Sequence, residues 1–146
     1  MSRVFSVSLI LFILSFSVSA SDDPVDVRHE MMEGVLDGAK AIGDMLKEKR
    51  EFDAAVAMDA LLVWQKASKE FGDLFPEGSY TGGEDKAKET VWTDREGFNK
   101  LLADFAREVD AAVAAEPQDL EALNAAAGPI FKVCKKCHEG YRIEGD

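Results

Sequence analysis

Basic residues are scarce in this chain of 146: 17 Lys and Arg stand against 28 Asp and Glu, for a net charge of −11. A field of that sign repels phosphate backbones, so nucleic acid is excluded as a partner class. Histidine and cysteine are scarcer still, with two of each. No stretch alternates apolar and polar residues with period two, so no sheet is expected. Long apolar runs are also missing, apart from residues 4–16. That run follows Arg3, is diluted by serines, and leads to the small-x-small tripeptide Val18-Ser19-Ala20, the pattern of a secretory leader. An uncleaved anchor is the competing reading, since the run is marginally long enough for a span of about 17–25 residues, but its serines and the cleavage-type tripeptide favour a leader. No cysteine follows the tripeptide, which speaks against a lipoprotein. The expectation is a signal peptide over residues 1–20, cleavage after Ala20, and one exported domain over residues 21–146.

What the chain does have is concentrated near its C-terminus: Cys134-Lys135-Lys136-Cys137-His138. Two cysteines separated by two residues and followed at once by histidine form the attachment signature of c-type haem. Each thiol adds to one haem vinyl group, and the next residue offers a ring nitrogen to the iron. A thioredoxin-like redox pair would sit early in a βαβ unit, and this one does not. A structural zinc wants four Cys or His ligands, whereas only His29 remains outside the motif. With both cysteines used by haem, no disulfide frame stiffens the fold. The core must come from packing around the cofactor.

Four amphipathic segments supply that packing. Asp23-Pro24 opens the first, with aspartate as cap and proline at the first helical position. Met32, Val35, Leu36, Ala39, Ile42 and Leu46 form its stripe, Gly34, Gly38 and Gly43 are candidate points of close approach, and residues 47–50 end it with positive charge. Asp53 caps a second helix that carries Val56, Leu61, Trp64 and Phe71 and stops near Gly72. A turn-rich connection from Leu74 to Trp92 follows, with Phe75 and Trp92 expected in the core. Thr93-Asp94-Arg95-Glu96 matches a capping box and predicts a third helix with Thr93 as its cap. Pro117 separates it from a fourth, starting at Gln118 or Asp119, in which Pro129 predicts a kink or an interruption. Two short links and one longer crossover describe an all-α, antiparallel four-helix bundle with one covalently attached haem.

With these features the chain resembles the class II c-type cytochromes, the cytochrome c-prime family, over residues 23–142. The resemblance rests on the C-terminal Cys134-Lys135-Lys136-Cys137-His138-Glu139-Gly140-Tyr141-Arg142, on residues 74–79, on Trp92, and on Arg28 with Met32 four residues later. It implies one haem c per chain, a periplasmic location and often a dimer through the first two helices. Residue by residue, it makes Cys134 and Cys137 the thioether donors and His138 the axial ligand. Arg28 matches an arginine near the haem propionates, where its fork can pair with carboxylate. Lys86 stands in the loop that nears the haem in relatives, and Arg142 matches a basic residue close to the proximal histidine. Position 29 departs from the family, with His where members often have Gln. Met32 matches the position facing the far side of the iron. There a methionine either binds as a sixth ligand, in the low-spin branch, or blocks a five-coordinate iron. Met31, one residue round the helix, is expected to point elsewhere.

Two functions follow from the resemblance. One is single-electron transfer between redox partner proteins, without catalysis, since no distal acid or base is identifiable. The alternative is a five-coordinate haem protein that binds NO or CO for sensing, storage or detoxification. Lys132, Lys135 and Lys136 recur at helical spacing around the attachment motif. They form either a solvated face or a local basic patch on an otherwise acidic chain.

Overall fold

The computed structural model describes residues 23–83 and 86–143. The expected leader lies outside them. Four long helices, α1 (Pro24–Leu46), α2 (Ala54–Glu70), α4 (Arg95–Ala115) and α5 (Leu120–Tyr141), are joined by two short links and one long crossover. The crossover contains a 3-10 turn (Phe71–Leu74) and a single helical turn, α3 (Thr90–Thr93). Helix α1 packs on α2, α2 on α4, α4 on α5, and α5 closes the ring on α1. This is the antiparallel four-helix bundle. Among the described residues there is no strand, only an isolated bridge between Ala87 and Arg142.

Every long helix starts on an aspartate whose carboxylate accepts an otherwise orphaned amide. Asp23 takes the Val25 N–H at 2.9 Å, Asp53 those of Ala55 and Val56, Asp94 that of Gly97, and Asp119 that of Ala122. Two sequence expectations are corrected here. Thr93 is not the cap of α4: it is the last residue of α3, and its hydroxyl donates to the Glu89 carbonyl. Of the two outcomes expected at Pro129, a kink or an interruption, the interruption is the one overturned: α5 runs unbroken from Leu120 to Tyr141. The carbonyl deprived of its partner belongs to Ala125, an exposed residue. The basic residues near Leu46 also fall just beyond α1 rather than in its last turn.

The core divides in two. Ile42, Met45, Leu61, Trp64, Val109, Leu123 and Ile130 form the larger cluster, with Met31 packed against it. Phe75, Ala87, Val91 and Phe98 form the smaller one, with Trp92, Cys137 and Tyr141 at its edge. Of the three α1 glycines, Gly38 marks the closest approach. It is buried, and an added Cβ would lie 2.9 Å from the Trp64 indole nitrogen and 3.2 Å from the Ala60 Cβ.

Candidate haem site

A cavity of about 410 Å³ is bounded by residues of both clusters. That volume is in the range of sites for small molecules and cofactors, about 300–1,000 Å³. The walls are mainly apolar and come from α1, α4, α5 and the crossover. All seven residues singled out from the sequence lie on them: Arg28, Met32, Lys86, Cys134, Cys137, His138 and Arg142.

Helix α5 presents the two cysteines and the histidine. Both thiols are free and half-buried, and burial pushes their pKa values up, that of Cys137 to about 11. They are therefore protonated at neutral pH, as S–H groups able to add across a vinyl double bond. His138 stands exposed at the cavity rim. Its pKa is lowered, first by partial burial of the ring and then by the Arg142 charge. A neutral imidazole has the lone pair that a metal needs. Among the described residues no cluster of three or more His, Cys, Asp and Glu could hold a bare metal ion, so a zinc reading of the motif has no further ligands.

The far wall belongs to α1. Arg28 is 4% exposed, and its guanidinium carbon lies 4.5 Å from the centre of the Phe75 ring. A buried cation beside an apolar cavity suits a ligand that brings carboxylates. Met32 is half-buried on this wall and belongs to neither packed cluster, whereas Met31 joins the larger one. His29 also lies on the wall and is exposed.

The crossover closes the site from the side. Lys86 has a left-handed backbone (φ 64°), and its carbonyl accepts the Ile143 N–H at 2.7 Å. The Lys88 ammonium and the Thr90 hydroxyl donate to the carbonyls of Glu139 and Gly140 at 2.7 and 2.8 Å, and the Lys88 N–H donates to that of Tyr141. The Tyr141 hydroxyl donates to Asp94 at 2.6 Å. These partners are about fifty residues apart, and nothing in the sequence signalled them. Nor did it separate Leu101, Leu102, Phe105 and Phe131, which line the cavity, from ordinary core positions. Their helical spacing is the same in either role.

The profile of the Cytochrome C' family matches residues 23–142. The chain belongs to this family. Cytochrome c' of Rhodopseudomonas palustris is 31% identical over 144 residues, 97% of each chain. Cytochrome c-556 of the same organism is 30% identical over 147 residues, again 97% of each. The solved structure of the Rhodopseudomonas palustris cytochrome c' superposes with a TM-score of 0.80, covering 86% of this chain and all of that one. Family members carry a covalently bound haem c. The cavity fits such a group: apolar walls, two thiols one helical turn apart, an adjacent neutral imidazole and a buried guanidinium. The chain is accordingly a mono-haem c-type cytochrome.

Proposed function

We propose that this cytochrome is an exported, periplasmic single-electron carrier. In this reading Cys134 and Cys137 would hold haem c through thioether bonds, His138 would ligate the iron, and Met32 would offer a thioether from the α1 wall. The carrying observation is that Met32 lies on the α1 wall of the cavity whose α5 wall bears Cys134, Cys137 and His138, while packing into neither core cluster. When bound, the haem supplies an iron that takes up and releases one electron. The chain's own residues set the conditions for that exchange. The apolar walls keep water away, and a soft thioether favours the reduced iron and raises the potential. Arg28 and Lys86 offer positive charge for propionates, and Arg142 acts on the field at His138. No side chain is assigned as a catalytic acid or base. Among the described residues no helix is long and apolar enough to cross a membrane. Exposed Leu62 and Val63 on α2 supply apolar surface for a homodimer through the first two helices.

The test is the visible spectrum of the oxidised and reduced protein, with and without CO or NO, in wild type and Met32→Leu. The carrier reading expects a low-spin wild type whose reduced form is unchanged by CO. It expects a high-spin variant with a lower potential that takes up CO. Rapid CO or NO binding by the reduced wild type would instead establish the gas-binding alternative, with Met32 as a distal blocker.

A further inference from the structure

We infer that the outward face of α5 formed by Lys132, Lys135 and Lys136 is the docking surface for an acidic redox protein. The inference rests on the electron-carrier reading and names the kind of partner that reading requires. All three lysines are exposed, and each projects away from Cys134, Cys137 and Ile130, which pack inward. Lys135 and Lys136 are the two residues between the attachment cysteines. A partner seated on them is separated from the cavity only by α5 itself, a cylinder about 10 Å across with its side chains.

The charge pattern sets this face apart from the rest of the molecule. On α1, α2 and α4 several lysines and arginines meet acids of their own helix, as in Lys40–Asp37, Lys66–Glu70 and Arg107–Asp104. There the cations are offset by neighbouring acids. On α5 the one such pair is Lys135–Glu139 at 3.7 Å, with side chains 78% and 57% exposed, a loose contact that leaves most of the lysine field intact. Among the described residues Lys132 and Lys136 have no ion-pair partner. Along the same face Ala125, Gly128 and Pro129 keep the surface low, and the space above Gly128 is open. A positive, unobstructed face directly over the haem attachment, on a chain of net charge −11, attracts an acidic partner there and repels it elsewhere. Orientation and steering come from one feature.

The test uses the holo-cytochrome with Lys132, Lys135 and Lys136 all changed to Gln, and reduced flavodoxin, an acidic flavoprotein, as probe. Electron transfer is followed by stopped flow over a salt series, beside reduction by a small uncharged reductant. The expected result at about 0.01 M salt, where the screening length is about 30 Å, is a bimolecular rate with flavodoxin roughly tenfold below wild type. The two rates converge at about 1 M salt, and reduction by the small reductant is unchanged. A wild-type rate and salt slope in the variant overturn the inference but leave the carrier reading standing. An equal fall with both reductants also overturns it, since the lysines would then act on the haem and not on docking. If wild type exchanges electrons with neither reagent, the carrier reading fails and the inference with it.

Discussion

Gly38 offers a sharp test of the packing because the same substitution five residues later reverses sign. Gly38 and Gly43 both lie inside α1, so alanine at either position gains about 1 kcal/mol of helix propensity. At Gly43 nothing lies within 4 Å of the added methyl, and that gain is the whole effect. At Gly38 the methyl meets the Trp64 indole nitrogen at 2.9 Å and the Ala60 Cβ at 3.2 Å. Trp64 is 1% exposed, and its indole N–H donates to the Val35 carbonyl at 2.9 Å, so it has no free direction of retreat. Overpacking of this kind costs about 1–3 kcal/mol, and an indole pushed off its acceptor costs about 1–3 more. With the propensity gain subtracted, Gly38→Ala is expected to lose about 3 kcal/mol, while Gly43→Ala gains about 1. The assay is urea unfolding of the oxidised holoprotein, followed by both far-ultraviolet circular dichroism and haem absorbance. For a slope of about 1–3 kcal/mol/M, the two midpoints separate by roughly 1–4 M. Equal midpoints for the two variants would refute the close α1–α2 contact.

Three further outcomes are expected. Changing Cys134 and Cys137 together to Ala abolishes covalent attachment, so acid–organic extraction of the denatured variant removes all its haem; haem retained by the chain would sink the assignment. Tyr141, whose pKa is held at about 12 chiefly by its hydrogen bond to Asp94, ionises later than an ordinary phenol. Its folded pKa lies above the unfolded value of about 10, so its contribution to stability is complete below pH 10 and is lost as the pH rises through 12. An ultraviolet titration should show the late step in wild type and not in Tyr141→Phe, and an unchanged titration curve counts against the bond. Thr90→Val leaves the Gly140 carbonyl without its hydroxyl donor and should lower stability by about 0.5–1.5 kcal/mol in urea unfolding; an unaltered midpoint shows that water replaces the threonine at no cost.

How much of this was legible in the sequence depended on whether the signal was local. Asp23-Pro24 and Asp53 marked two helix starts, and Asp119 was one of the two offered for α5, because a cap acts within one turn. The fourth start was one residue out. Thr93 and Asp94 are both good caps, and the choice was made by α3, whose hydrogen bonding to Glu89 occupies the threonine. At Pro129 the sequence left a kink and an interruption open, and the helix is not interrupted: which of the two an internal proline produces is decided by the packing around it. At the site, Cys134, Cys137 and His138 could be singled out because their spacing is local, and all three line the cavity. Met32 and Met31 were separable by helical phase alone, and the structure places them on the cavity wall and in the main core respectively. The hydrophobic walls were not legible as walls. Leu101, Leu102 and Phe105 obey one period whether they face a helix or a cofactor.

The crossover is the part that sequence patterning described least, and it does the most to fix the end of the helix that carries the cysteines and the histidine. A helix leaves its last four carbonyls without intrahelical donors. In α5 these belong to His138, Glu139, Gly140 and Tyr141, and all four are satisfied. The Arg142 N–H serves the first; the Lys88 ammonium, the Thr90 hydroxyl and the Lys88 N–H serve the others. The Tyr141 hydroxyl then bridges to Asp94, the cap of α4, and the space it needs exists because residue 97 is glycine: a Cβ there would lie 2.5 Å from that hydroxyl and 2.9 Å from the Asp94 side-chain carbon. Residues 86–94 therefore tie the C-terminal turn of α5 to the N-terminal turn of α4 at the level of His138. A helix end normally frays, and a frayed end would let the histidine ring wander. Here fraying must break side-chain and backbone bonds to a segment anchored in the smaller core by Ala87 and Val91. The long connection, which looks like the loosest stretch of the sequence, thus works as the clamp on the end of the attachment helix.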